Sequence, residues 1–198
     1  QLLALILDDV NRLDRLITDI SDSSRLDAEL SRETFEPIDI KSLLLAFHEL
    51  RKFQKRFEQK LLTINIRKDE NQPLIFGHEG RIVQVIDNIV DNAVTFAPTN
   101  SKIDITLCAN TTNVKITIDD EGPGIPKNKL DSIFERFYSE RPPAEKFGLH
   151  SGLGLSICKQ IIEAHNGKIS AENRTDYQND ITGAQFVITL PIMNKGEV

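Results

Sequence analysis

The spacing of apolar residues near the start of the chain predicts a helix that packs against another helix. In residues 1–27 apolar positions recur in steps of three and four, which is the seam of a coiled-coil or bundle helix; they are Leu3, Ile6, Val10, Leu13, Ile17 and Ile20. An ordinary amphipathic helix that lies on its own domain is the alternative. Glu36-Pro37 interrupts the pattern, because proline disfavours helix at the preceding residue, so we place a linker at about residues 30–38.

The remaining pattern predicts a mixture of helices and strands. Helices are predicted at residues 40–59, 81–96 and 153–165, and strands at residues 61–66, 74–76, 102–109, 113–119, 168–173 and 184–190. Residues 121–151 carry few periodic signals and form a long loop. Because helices and strands do not alternate regularly and a hairpin turn is expected at residues 110–112, the chain is α+β. It predicts a two-layer α/β sandwich with a mixed sheet, with residues 1–36 as helix and linker and residues 37–198 as the second domain.

Composition narrows the possible functions. The chain has 198 residues, of which 39% are hydrophobic, enough for one sizeable core and a smaller extension. With a net charge of -6 and no basic cluster, it has no electrostatic reason to bind nucleic acid or an anionic membrane. No run of about 18 apolar residues occurs. Cys108 and Cys158 lie in apolar patterns and are expected to be reduced packing residues. The start at Gln1, inside a predicted helix, suggests a piece of a longer protein.

The predicted helix at residues 81–96 has one apolar side and one amide-bearing side. Ile82, Val85, Ile86, Ile89 and Ala93 form the apolar side, and Gln84, Asn88 and Asn92 recur every four residues on a shared face. Asparagine is a mediocre helix former, so two on one stripe suggest a task. Amide oxygens suit Mg²⁺, although a solvated polar face explains the same pattern.

Two glycine-containing segments carry further candidate chemistry. Asp120 leaves a strand and is followed by Gly122 and Gly124. Its carboxylate can accept a hydrogen bond from an exocyclic amino group, and the glycines let a flat ring approach; a plain turn is the alternative. Gly152 and Gly154 open the last helix, whose N-terminus suits phosphates; a small-residue helix start needed for packing is the alternative.

Together these segments resemble the ATP-binding (Bergerat) fold shared by sensor histidine kinases, DNA gyrase, Hsp90 and MutL, over about residues 37–191. The order is an asparagine helix, a strand followed by Asp-x-Gly-x-Gly, a long loop and a Gly-x-Gly helix. Within that group the chain is most similar to histidine kinases, whose N, first glycine, F and second glycine boxes match Asn88-x-x-x-Asn92-Ala93, Asp120-x-Gly122-x-Gly124, Ile133 to Tyr138 and Gly152-Leu153-Gly154-Leu155.

The resemblance implies that ATP and Mg²⁺ bind here. It assigns Mg²⁺ to Asn92 with Asn88 beside it, the adenine amino group to Asp120, and an aromatic contact with adenine to Phe96. Residues 125–151 correspond to a lid over the nucleotide, which Phe134, Phe137 and Tyr138 would anchor. The implied nucleotide-binding residues are Asn88, Asn92, Phe96, Asp120, Gly122, Gly124, Ile125, Phe137, Ser151, Gly152, Leu153, Gly154 and Leu155.

Two positions depart from the family pattern and one decides the reaction. Thr95 replaces a lysine that often reaches the phosphates, for which Arg141 or Lys146 could substitute, and His150 replaces the usual first glycine of the second box. Gyrase-, Hsp90- and MutL-like ATPases carry a water-activating glutamate where this chain has Asn88. An amide cannot accept a proton in that role, so the sequence favours phosphoryl transfer over hydrolysis.

No acceptor histidine is expected in this chain. His48-Glu49 imitates the acceptor motif, but Phe53 stands where its proline belongs and the motif falls inside the nucleotide domain. Residues 8–30 resemble the second helix of the acceptor hairpin and, with residues 150–169, are similar to envelope-stress sensor kinases of alphaproteobacteria. The resemblance therefore implies no self-phosphorylation by this chain. For the full protein it implies a homodimer through the N-terminal helix, an inner-membrane anchor with this portion in the cytoplasm, and a response regulator partner. A gyrase- or Hsp90-like ATPase and a non-catalytic nucleotide-binding scaffold are the competing hypotheses.

Overall fold

A mixed five-stranded sheet forms one layer of the molecule. The computed structural model describes residues 34–51, 60–67, 74–138 and 152–193. The sheet strands are β2 (Leu61–Ile66), β4 (Lys102–Ala109), β5 (Asn113–Asp119), β6 (Lys168–Thr175) and β7 (Ile181–Pro191), in the order β2-β4-β5-β7-β6. The β2–β4 pair is parallel and the other pairs are antiparallel. The predicted mixed sheet is therefore confirmed. The predicted N-terminal helix lies outside the described residues.

A small second sheet occupies the place where we expected the end of a linker. Strand β1 (Glu36–Asp39) pairs antiparallel with β3 (Leu74–Gly77), so the prediction of a linker through residue 38 is wrong for these residues. Proline is tolerated in a strand at a sheet edge, because its missing N–H need not join a ladder. Pro37 therefore interrupts helix but permits this edge strand.

Three helices form the other layer: α1 (Ile40–Arg51), α2 (Glu79–Phe96) and α3 (Gly154–Ala164). The Asp39 carboxylate caps α1 by accepting from the Lys41 N–H at 2.9 Å. Helix α3 ends at Ala164, as the Asn166-Gly167 pair after it predicts. Asn166 has a φ of 55°, and the Gly167 N–H donates to the Ile162 carbonyl at 2.8 Å. Within the described residues, none of the helices has the length and apolarity needed to cross a membrane.

The core lies between the helices and one face of the sheet. Along β4 and β5 every second side chain is buried, and the intervening ones are polar or partly exposed, which is the pattern of a sheet covered on one face. The side of α2 predicted to be buried is buried, and Val90 joins it. The two-layer architecture is confirmed. The hairpin turn is also confirmed: the Asn110 carboxamide oxygen accepts from the Thr112 and Asn113 backbone N–H groups.

His165 joins the end of α3 to the start of α2. It is 2% exposed, its Nδ1 lies 2.7 Å from the Ile161 carbonyl, and its Nε2 accepts from the His78 N–H at 3.0 Å. Because Nε2 accepts, Nδ1 carries the proton and the ring is the neutral tautomer. The Phe35 ring stacks on this imidazole with centroids 4.6 Å apart. One histidine thus links the residue that precedes β1 with α2 and α3.

We expect His165→Ala to destabilise the protein by about 2–4 kcal/mol, because it creates a cavity and removes the acceptor of a backbone N–H. Urea unfolding measures this change. The matched control is His48→Ala, because the His48 ring is partly exposed and its Nε2 contacts one carbonyl, that of Leu62. Equal losses in free energy of unfolding for both variants would show that burial of His165 is unimportant.

Candidate nucleotide-binding site

Helix α2 contacts both glycine-containing segments, and so defines the candidate site. Near its middle, the Asn88 side chain donates to the Gly154 carbonyl at the start of α3 (3.4 Å). At its end, the Phe96 carbonyl lies beside Gly122, where a Cβ would be 3.3 Å away. Asn88 and Phe96 are eight residues apart, or about 12 Å of helix. The structure therefore brings together the three segments singled out in the sequence.

The two asparagines of α2 are both half-buried, and Asn88 contacts α3. Asn88 hydrogen-bonds Gly154 and also lies within hydrogen-bonding reach of the Cys158 thiol. Burial raises the pKa of that thiol to about 12, with the Asn88 hydrogen bond opposing the shift, so Cys158 stays protonated. Asn92 lies one turn further along α2.

The donor set on this face fits Mg²⁺ in its chemistry. The Asn88 nitrogen is used on α3, which leaves a carboxamide oxygen, and amide oxygens are hard ligands that Mg²⁺ accepts alongside water and phosphate. Among the described residues no group of three or more His, Cys, Asp or Glu side chains could hold a metal. At this face the described residues therefore offer a cation amide oxygens rather than an acidic cluster.

Asp120 is a buried carboxylate held by backbone groups. It is 5% exposed, and its Oδ1 accepts from the Gly122 N–H at 2.7 Å and the Ala184 N–H at 3.1 Å. Both of these donors reach Oδ1. Within the described part of the chain no hydrogen bond reaches Oδ2, so this oxygen can accept from a ligand. Burial raises the pKa of Asp120, while the two backbone hydrogen bonds and the charge of Arg174 oppose the shift.

Strand β7 was predicted at residues 184–190, but it begins at Ile181, so Gly183 lies inside the strand, beside Asp120. Gly183 lies so close to the Asp120 carbonyl that a Cβ would stand 1.9 Å from its oxygen, so only glycine fits. The Ala184 carbonyl accepts from the Asp120 N–H at 3.0 Å. A glycine inside a strand pattern signals a close backbone approach, and Gly183 carried that signal.

The Gly122–Ile125 segment is fixed by a residue that the sequence did not indicate. The Asn173 carboxamide accepts from the Ile125 N–H at 2.7 Å and donates to the Ile125 carbonyl at 2.6 Å. Its oxygen also packs against Gly124, where a Cβ would be 2.7 Å away. The Ile125 side chain packs against the core.

The second glycine segment enters α3 without a side-chain cap. Gly152 has a φ of 74° and lies against the Tyr138 carbonyl, so an L side chain would be strained and crowded there. Leu153 is fully buried at the N-cap position and makes no side-chain cap hydrogen bond. The Leu153 side chain therefore does not cap the first-turn amides of α3. The Leu155 side chain packs against the core. Ser151, His150, Arg141 and Lys146 lie outside the described residues.

Phe137 does not anchor the segment before α3, contrary to our expectation. Its side chain is 65% exposed and its φ is 65°. The anchoring role belongs to Phe134, which is buried and meets Phe186 edge-on at 6.4 Å, and to the partly buried Tyr138. Sequence spacing alone showed neither this exposure nor the positive φ.

The fold and the arrangement of motifs define the class of this molecule: it is an ATP-binding domain of the histidine kinase type. A family model described as histidine kinase-, DNA gyrase B-, and HSP90-like ATPase matches residues 77–194, and the chain belongs to that family.

Known proteins support the histidine kinase branch. The sensor protein ChvG of Rhizobium meliloti is 44% identical over 197 residues, which cover 96% of this chain and 34% of ChvG. The catalytic domain of histidine kinase ThkA superposes with a TM-score of 0.67 at 29% identity, covering 80% of this chain and 98% of that domain. The structure of ThkA in complex with response regulator protein TrrA superposes with a TM-score of 0.71 at 27% identity, covering 96% of this chain and 50% of that ThkA chain. The chain thus spans about a third of the length of its ChvG relatives.

The raised pKa of Asp120 makes the folded protein hold a proton that the unfolded chain has released. At pH values between the ordinary carboxyl pKa and the raised pKa of Asp120, the free energy of unfolding therefore falls as pH rises. We expect Asp120→Asn to lose this component, so that the variant gains stability relative to the native protein as pH increases through that window.

Urea unfolding of both proteins at a series of pH values measures the difference. Comparing the two proteins cancels the titration of the other carboxylates. A difference in stability that is constant across pH would contradict the pKa shift.

Proposed function

We propose that this domain holds Mg²⁺-ATP and transfers its γ-phosphoryl group to a histidine on a separate acceptor helix. The observation that carries the proposal is the buried Asp120 carboxylate, whose Oδ1 is fixed by two backbone donors next to the end of α2. A fixed acceptor in a buried site discriminates strongly between a ligand with a matching donor and one without. The adenine amino group supplies that donor.

The base would lie at the Asp120 end of α2. Asp120 accepts from the amino group, Gly122, Gly124 and Ile125 form the adjacent wall, and Phe96 contacts the ring. A 6-oxopurine has a carbonyl oxygen where adenine has its amino group. In this site that oxygen would face the Asp120 carboxylate, so two acceptors would meet with no hydrogen between them. The site therefore favours adenine.

The phosphates would lie at the other end of α2, over the start of α3. The amides of the segment Gly152–Leu155 and of Ser151 meet the phosphate oxygens, since a helix N-terminus favours anions. Asn92, with Asn88 beside it, supplies carboxamide oxygen to Mg²⁺, which neutralises phosphate charge when bound. Exposed Phe137 is free to contact the nucleotide.

Asn88 supports transfer over hydrolysis. A base that activates water must accept a proton, and a carboxamide does not. Its nitrogen is moreover engaged with α3. An ATPase of the gyrase or Hsp90 kind is therefore the weaker candidate. A non-catalytic nucleotide-binding scaffold would use the same Asp120 pocket, so the transfer experiment below separates it from the kinase.

The relatives suggest the wider context. ChvG is a sensor protein, and ThkA forms a complex with a response regulator. By analogy, the full protein would be a homodimer through the helix at residues 1–27 and an inner-membrane sensor with this portion in the cytoplasm. Residues 1–36 would complete an acceptor hairpin, residues 37–198 would be the catalytic domain, and the phosphoryl group would pass to an aspartate of a response regulator.

Mixing the protein with a separate histidine-bearing acceptor hairpin and γ-labelled ATP tests the reaction. We expect label on the hairpin histidine and none on this chain, because no acceptor histidine is expected here. Steady phosphate release without transfer would favour the ATPase. Tight ATP binding without either product would favour the scaffold.

Base recognition is tested by Asp120→Asn. Because two N–H groups fix Oδ1, the variant's amide oxygen takes that place and its nitrogen then opposes the adenine amino group. We expect ATP affinity to fall about 10- to 100-fold and inosine triphosphate affinity not to fall, because the amide nitrogen can donate to the 6-oxo group. Calorimetric titration measures both, and Asp119→Asn is the matched control on the adjacent strand residue. Equal affinities of the native protein for both nucleotides would contradict the assignment.

The metal role of Asn92 is tested by its replacement with alanine. We expect Mg²⁺ to strengthen ATP binding by the native protein, and this gain to shrink about tenfold in Asn92→Ala. The matched control is Gln84→Ala, on the same face two turns earlier, whose side chain accepts from Arg81. An unchanged Mg²⁺ dependence in the Asn92 variant would remove Asn92 from the metal site.

A further inference from the structure

Two consecutive residues of β6 hold both ends of the segment Asp120–Ile125. Arg174 donates from Nη1 to the Asp120 carbonyl at 2.7 Å, and Asn173 makes its two hydrogen bonds to the Ile125 backbone. The segment itself contains two glycines and lies outside the regular strands and helices. Its shape therefore depends on contacts from elsewhere in the chain.

The strand geometry explains how neighbouring side chains reach one segment. Successive side chains of a regular strand point to opposite faces. The register of β6 against β7 shifts between Arg174 and Thr175, and such irregularities re-aim side chains. The shift lies next to the residues that contact the segment.

Asparagine is suited to this place by its chemistry. One carboxamide donates and accepts together, and the Ile125 N–H and carbonyl need one of each. An aspartate would present a second acceptor to the Ile125 carbonyl, and a serine is too short to bridge both groups. Because the Ile125 N–H donates to Asn173, that N–H is not available to a nucleotide.

The opposite side of Asp120 is fixed by β7. Ala184 exchanges hydrogen bonds with Asp120, and Gly183 packs on its carbonyl. The Asp120 end is thus held from both strands, whereas the Ile125 end is held by Asn173. Loss of the Asn173 contacts would free the wall beside the carboxylate without removing the carboxylate.

We propose that Asn173 and Arg174 are positioning residues that hold the segment Asp120–Ile125 in the shape that reads the adenine base, before nucleotide binds. The inference rests on the proposed role of Asp120. It assigns part of the base specificity to a strand that follows the Asp120 segment by about 50 residues and lies at the edge of the sheet.

Asn173→Asp tests the proposal with an isosteric change. We expect ATP affinity to fall about tenfold and inosine triphosphate affinity to change less than about threefold, so that the ratio of the two affinities falls. A merely structural role would lower the folded fraction and reduce both affinities by one factor, leaving the ratio unchanged. The matched control is Asn113→Asp, at the other end of β5 and bonded to Thr112, which should keep the native ratio.

Arg174→Gln provides a second variant in case Asn173→Asp does not fold. It removes the guanidinium that donates to the Asp120 carbonyl, and we expect a reduced ratio of ATP to inosine triphosphate affinity in this variant as well. Native ratios in both folded variants, or in Arg174→Gln alone if the other does not fold, would overturn the inference. Failure of the proposed function looks different: the native protein itself would not distinguish the two nucleotides, or Asp120→Asn would leave their ratio unchanged.

Discussion

The arrangement of the base end of the site depends on two backbone N–H groups that meet at one oxygen of a buried carboxylate. Gly122 follows Asp120 closely in the chain, and Ala184 comes from another strand, so both local and distant structure fix Asp120 Oδ1. A buried carboxylate needs such partners, because desolvation disfavours its charge. Once one oxygen is fixed, the orientation of the other is fixed too. The two backbone hydrogen bonds that stabilise the buried charge of Asp120 thus also orient the oxygen that would recognise the base.

Helix α2 connects this carboxylate to the rest of the candidate site through its periodicity. One face carries the aliphatic residues that pack on the sheet, and an adjacent face carries Asn88 and Asn92. Packing the first face determines where the second one lies, since both turn with the same 3.6-residue repeat. Contact with α3 through Asn88 then fixes the start of that helix. The geometry that fills the core also spaces the base and phosphate ends.

The sequence was informative wherever a signal was local or periodic. Three features were correctly predicted because each depends on neighbours within a few residues. They are the buried side of α2, the hairpin with Asn110 in its turn, and the end of α3 just before Asn166-Gly167. Strand β1 was missed because its partner, β3, lies across α1 and β2 in the chain. Asn173 was missed for the same reason: its contact with Ile125 spans 48 residues. No local pattern distinguishes that asparagine from one on a solvated strand.

The electrostatic surroundings of Asp120 show why the site is built from backbone contacts rather than ion pairs. Burial lowers the pKa of Lys60, and the charge of Asp120 opposes that shift. The Lys60 ammonium nevertheless forms a hydrogen bond with the Ala97 carbonyl at the end of α2, not with the Asp120 carboxylate. Arg174 likewise donates to the Asp120 carbonyl, not to its carboxylate. A direct cation on the carboxylate would hold its charge but would compete with an incoming amino group. Backbone N–H donors on one oxygen stabilise the charge and keep the other oxygen available, so that ligand recognition requires little rearrangement.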